Sequence, residues 1–131
     1  MSKYSISRSG EQTWVATRTR AEQGRELIDL TSHLDLNRSR ARLWRYPPGA
    51  SGRPHVEREQ EEVFVVLDGT LTLILDEPAR RELLPSGSVA AVKPGTPIHV
   101  RNDSEQAVTF LVYGAPPVPD AADELPEPTV P

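Results

Sequence analysis

The chain has 131 residues, fifteen basic and nineteen acidic, with a net charge of −4 and no cysteine. That length fits one domain with a sizeable core. The missing cysteines exclude a disulfide framework, a thiolate zinc site, an iron–sulfur cluster and a cysteine nucleophile. The acidic balance argues against nucleic acid, whose phosphates need a basic footprint.

No apolar run approaches the ~20 residues of a membrane span, and the start of the chain is polar, without the apolar stretch of a signal peptide. The expectation is a cytoplasmic domain with no membrane and no nucleic-acid partner. Thirteen prolines and eight glycines break the chain too often for long helices. Short strands between turns survive such punctuation.

Residues 1–36 read as an N-terminal extension. Trp14-Val15-Ala16 suits a short strand, while Arg20 to Asp29 lacks an apolar stripe and reads as a loop or frayed turn. Residues 39–46 alternate. Ala41, Leu43 and Arg45 share one face, and Arg40, Arg42, Trp44 and Tyr46 share the other. If that second face looks inward, it offers guanidinium and aromatic groups, with Arg42, Trp44 and Tyr46 as ligand-binding candidates for an anionic or planar molecule. The alternative is that it faces outward and pairs with the acidic surface.

Val63 to Leu67 is an apolar run rich in β-branched residues. Asp68-Gly69 suits a type I′ hairpin, and Leu71 to Leu75 reads as the returning strand. Both strands are largely apolar on both faces. One face would fill a core, and the other would be covered by a second sheet or a second copy, so a homodimer is expected. Further strands are expected at Glu82–Leu84, at Val89–Val92 (buried), at Ile98–Arg101 and at Ala107–Tyr113. Turn signals every eight to twelve residues from 47 to 105 indicate an all-β sandwich or closed barrel over residues 37–114. Residues 115–131 are rich in Pro, Asp and Glu and read as a tail that adds little to the core.

Chemistry concentrates between residues 49 and 69. His55 and Glu57 lie two apart, so on a strand they share a face, and Glu62 opens the next apolar strand. One imidazole and two carboxylates converging inside a barrel suit a divalent metal or an acid–base pair. Taken alone, the charged run from Glu57 to Glu62 would read as a solvated face. No serine lies in a nucleophile-elbow pattern, and Gly49-Ala50-Ser51-Gly52 precedes a strand, not the helix of a phosphate loop.

Gly49, His55, Glu57, Glu62 and Gly69 resemble the first motif of the cupin superfamily, Gly-x5-His-x-His-x(3–4)-Glu-x6-Gly, with Glu57 in the slot of the second His. Gly87, Gly95 and Asn102 resemble the second motif, Gly-x5-Pro-x-Gly-x2-His-x3-Asn, with Lys93 in the Pro slot and Ile98 in the His slot. The resemblance implies a small single-domain antiparallel β-barrel or jelly roll, often a homodimer. It also implies a site for Mn, Fe, Zn, Ni or Cu whose four slots here hold His55, Glu57, Glu62 and Ile98. Three of these can ligate and Ile98 cannot. His99 is adjacent to Ile98 and on a regular strand points the other way, as an exposed or interface histidine beside Arg101. The count from Gly87 to Asn102 leaves no extra residue for a bulge that would turn it inward.

These readings favour a small-molecule-binding barrel with a degenerate metal site, in which His55 and Glu62 also face the ligand. The alternative is a metal-dependent dioxygenase, decarboxylase or isomerase using His55, Glu57 and Glu62. A metal-free epimerase or isomerase with His55 as base is a third class. No catalytic residue is singled out.

Overall fold

The structure is a computed structural model that describes residues 3–17, 23–117 and 122–128. Among the described residues, eleven short strands make two antiparallel sheets. They are β1 (Val15–Ala16), β2 (Glu26–Asp29), β3 (Arg40–Tyr46), β4 (His55–Glu57), β5 (Glu61–Asp68), β6 (Thr70–Leu75), β7 (Arg80–Pro85), β8 (Val89–Val92), β9 (Pro97–Arg101), β10 (Val108–Ala115) and β11 (Ala122–Glu124). A one-turn helix α1 (Leu30–His33) links β2 to β3, where Thr31 Oγ1 donates to the Ala41 carbonyl and accepts from the Ala41 N–H.

One sheet runs β1-β2-β3-β10-β5-β8 and the other β11-β4-β9-β6-β7. Among the described residues hydrogen bonding leaves the sheets separate rather than closing them into one ring, and the barrel is a two-sheet jelly roll. Alternation places Phe64, Val66 and Phe110 of the first sheet against Leu71, Leu73, Ile98 and Val100 of the second, all buried. Burial of this apolar surface, about 25 cal/mol per Å², is the main force holding the sheets together.

Several expectations change. Val63–Leu67 and Leu71–Leu75 are strands but not a hairpin: β5 pairs with β10 and β8, and β6 with β7 and β9. A type I′ turn needs positive φ at both central residues, and at Asp68-Gly69 only Gly69 has it, at φ 83. There the chain crosses from one sheet to the other, so close to β10 that a Cβ on Gly69 would lie 2.5 Å from the Ala107 carbonyl oxygen. The double-faced apolarity of β5 and β6 suits strands in two layers that face each other.

Residues 26–29 are a strand rather than a loop, because Leu27 and Ile28 find partners in Trp44 and Leu43 of β3; residues 20–22 lie outside the described residues. β8 is an edge strand with Val89 exposed, not a buried one. The tail does join the fold, since β11 adds to the edge at β4; residues 118–121 and 129–131 lie outside the described residues. No helix among the described residues is long and apolar enough to cross a membrane.

Candidate metal and ligand site

The register of the first sheet orders the cavity wall in rows. Arg40, Gly114 and Glu62 lie side by side across β3, β10 and β5, followed by Arg42, Val112 and Phe64. Trp44 and Phe110 pair in the next row. The polar row lies at one end of the wall, and the rows after it are increasingly aromatic. The face of β3 that carries Arg40, Arg42, Trp44 and Tyr46 therefore looks inward. It lines a cavity of about 470 Å³ together with His55, Glu57 and Glu62. Gly114 keeps the polar row open, and the buried Gln60 fills the space above it, its amide donating to the Pro116 carbonyl at 3.0 Å.

The second sheet supplies His55 and Glu57 on one face of β4. His55 Nε2 lies 3.6 Å from Glu57 Oε1 and 4.0 Å from Glu62 Oε1. One potential ligand atom from each residue falls within 4.8 Å of the others. His55 Nδ1 lies 2.9 Å from the Arg53 carbonyl oxygen. That oxygen only accepts, so in the neutral ring the proton sits on Nδ1 and the Nε2 lone pair faces the carboxylates, the tautomer a metal-binding histidine needs.

Both carboxylates are largely withdrawn from water. Burial raises the Glu62 pKa to about 6, and the negative charge of Glu57 adds to the rise. His55, Arg40 and Arg42 oppose it. Arg42 keeps an open side at the rim. Even so, lost hydration and the charge of Arg40 lower its pKa, against the pull of Asp29, Glu62 and Glu57. A cation held by the two carboxylates and the His55 Nε2 would relieve the repulsion between Glu57 and Glu62. The donor set is hard to borderline, and three protein ligands with open positions form an acceptable divalent site. The residues present therefore fit a divalent metal.

Ile98 sits directly opposite His55 across the β4–β9 pair and is buried in the core. His99 points to the other face, opposite Ile74. The expectation that it is exposed fails: it is 2% exposed, beside a second cavity under Leu125 and Pro126 of the tail.

Arg25 escaped the sequence reading. Its buried guanidinium lines the cavity, donates to the Tyr46 hydroxyl at 3.2 Å, and lies 5.2 Å from the Trp44 ring centroid and 5.4 Å from that of Tyr46. Gln60 and Glu124 were missed as lining residues too. A lone arginine in a segment without periodicity carries no signal, whereas the paired strand places it on the aromatic wall.

The profile of the family described as "Cupin domain" matches residues 42–114, more than half of the chain. The chain belongs to the cupin family. Among solved structures, this cupin is similar to a sugar phosphate isomerase of the cupin superfamily from Silicibacter pomeroyi. The two are 27% identical, with a TM-score of 0.66 over 79% of this chain and 69% of that one. It is also similar to the polyketide cyclase RemF from Streptomyces resistomycificus, at 22% identity and a TM-score of 0.77 over 97% of this chain and 87% of that one. A third is a predicted oxalate decarboxylase from Thermotoga maritima, at 19% identity and a TM-score of 0.70 over 84% and 97%. The last two show the fold alone. No curated protein sequence matches this cupin.

Proposed function

We propose that this cupin binds a small molecule in the barrel cavity, beside a divalent cation held by His55, Glu57 and Glu62. The observation that carries the reading is the convergence of the three side chains within 4.8 Å on the wall of that cavity. The metal site is reduced, since the fourth family slot holds Ile98. A bound divalent cation would supply Lewis-acid polarisation of an oxygen-bearing ligand. The protein's own part is to fix the ring of His55 through Arg53 and to hold the two carboxylates largely out of water.

A metal-dependent isomerase or decarboxylase is the second reading. Three ligands leave coordination positions open, as a catalytic site requires, and the 27% identical relative is a sugar phosphate isomerase. Calorimetric titration of chelator-treated protein with Mn²⁺ or Zn²⁺ tests the shared claim. One equivalent should bind to the wild type and none to a His55→Ala, Glu62→Ala double variant. Equal binding by both would reject the assignment.

A further inference from the structure

We infer that the cavity selects an organic oxyanion with a flat, apolar body, its charged head between Arg40 and Arg42 and its body along Trp44, Phe110 and Val100. The inference rests on the small-molecule reading above and is independent of the metal.

Charge argues first. Four arginines and three glutamates line the cavity. Arg53 pairs with Glu124 at 3.6 Å, and Arg25 is committed to Tyr46 and Trp44. Some surface cations find carboxylates, as Arg45 does in Glu26 and Lys93 in Glu61, and others, such as Arg38 and Arg80, stay in solvent outside this cavity. Among the described residues, the side chains of Arg40 and Arg42 make neither a hydrogen bond nor an ion pair, although both line the cavity, Arg40 half-buried and Arg42 exposed at its mouth. Each guanidinium carries five donors in a planar fork matched to a carboxylate or phosphoryl group. Two positions apart on one strand face, about 7 Å, they can both reach a single oxyanion. Glu62, two strands from Arg40 in the same row, and Glu57, across the cavity on β4, repel such a head and hold it toward β3.

The walls argue second. Beyond the arginines one wall is apolar, made by Phe64, Val112, Phe110, Trp44 and Val100, while His55, Glu57, Glu62 and Gln60 make another part of the lining polar. Beside that wall, the Tyr46 hydroxyl accepts from Arg25, and the Gln60 amide donates to Pro116. A polyhydroxylated body laid on the aromatic wall would find few partners along it and would lose its hydration. A flat apolar body gains by burial against the half-buried Trp44. That ring is fixed by Arg25 on one side and edge-on to Tyr46, with centroids 5.5 Å apart at 84°. Arg25 is thus a positioning residue for the aromatic wall. The cavity volume suits a ligand of ordinary small-molecule size.

The test is equilibrium dialysis of the full chain, metal-stripped and Mn²⁺-loaded, with three probes. These are 2-naphthoate, 2-naphthamide (the same rings without the charge) and gluconate (the charge on a hydroxylated chain). Naphthoate should bind at least about tenfold tighter than either comparison probe in both protein forms, the scale of a charge-assisted hydrogen bond. Arg40→Gln and Arg42→Gln should each remove most of that advantage by weakening naphthoate far more than naphthamide, and Arg42→Lys should restore part of it. A ratio near one, a ratio untouched by both Gln variants, gluconate binding as tightly as naphthoate, or no binding of any probe overturns the inference. Naphthoate binding that needs Mn²⁺ and vanishes in Glu62→Ala places the head on the metal. That overturns the inference and supports the metal reading. Arginine-dependent naphthoate binding by a protein that takes up no metal keeps the inference and rejects the metal reading.

Discussion

His55 and Ile98 are direct cross-strand partners, one on β4 and one on β9, so an imidazole and a buried aliphatic side chain share one row of the inner face. The row places a group without a lone pair beside the cluster of His55, Glu57 and Glu62. Ile98→His should therefore raise the affinity for Zn²⁺ or Mn²⁺. At least about tenfold is expected, since even an outer-shell partner of a metal ligand changes affinity by that much. The same substitution buries a polar ring and should destabilise the metal-free protein by about 1–3 kcal/mol. Titration calorimetry and thermal melting read the two effects. An unchanged affinity would mean that position 98 does not face the cation.

The metal-free protein should lose stability as pH rises through the range set by Glu62. Its folded pKa is about 6, raised from 4.5 by burial first and by Glu57 second. The folded state then holds the proton more tightly than the unfolded chain. The contribution is full below 4.5, falls across the interval, and is gone above about 6. The difference corresponds to about 2 kcal/mol. By denaturant titration of chelator-treated protein, the unfolding free energy lost between pH 4 and pH 7 should be larger in wild type than in Glu62→Gln by about that amount. Parallel pH profiles would contradict it.

Asn102 holds the β9 end of the second motif in place. It is fully buried. Its Nδ2 donates to the Tyr46 carbonyl at 3.0 Å and the Gln106 carbonyl at 2.8 Å, while its Oδ1 accepts from the Ser104 N–H and hydroxyl. Asn102→Ala strands a buried carbonyl at the end of β3 and should cost about 1–3 kcal/mol by denaturant unfolding. A loss within experimental error would show that neighbouring groups replace the amide.

Gly114 separates Arg40 from Glu62 and lies under Gln60. A Cβ there would lie 2.6 Å from the Gln60 side chain. Gly114→Ala should destabilise by about 1–3 kcal/mol through overpacking. Adding Gln60→Ala should recover part of that loss, a coupling that a double-mutant cycle measures. Simple additivity would mean that Gln60 swings aside at no cost.

The outer face of the six-stranded sheet exposes Leu67, Val89 and Tyr113 around Leu111, Val65 and Leu43. A second copy on this face is the expected cover. Light scattering after size exclusion should give a dimer mass at micromolar concentration, and Val89→Lys with Tyr113→Lys should halve it. A monomeric wild type would reject this.

The strands between Arg40 and Ala115 were legible because alternation and turn residues act locally. So was the trio His55, Glu57 and Glu62, whose spacing follows a family motif. The pairing of β5 was not, since an Asp-Gly dipeptide reads alike whether the chain folds back or crosses to another sheet. Nor were β2, β11 and the cavity roles of Arg25 and Gln60, which depend on partners far along the chain. The inward face of β3 was visible as a face, but its direction was decided by Phe110 and Val112 beside it.

The central claim is that three side chains hold a divalent ion in spite of Ile98. Metal content of tag-free protein, measured by elemental analysis beside the His55→Ala, Glu62→Ala variant, tests it most directly. About one equivalent of Mn, Fe, Ni, Cu or Zn in the wild type and none in the variant is the predicted result. No metal in either protein, even after incubation with divalent ions, would contradict it.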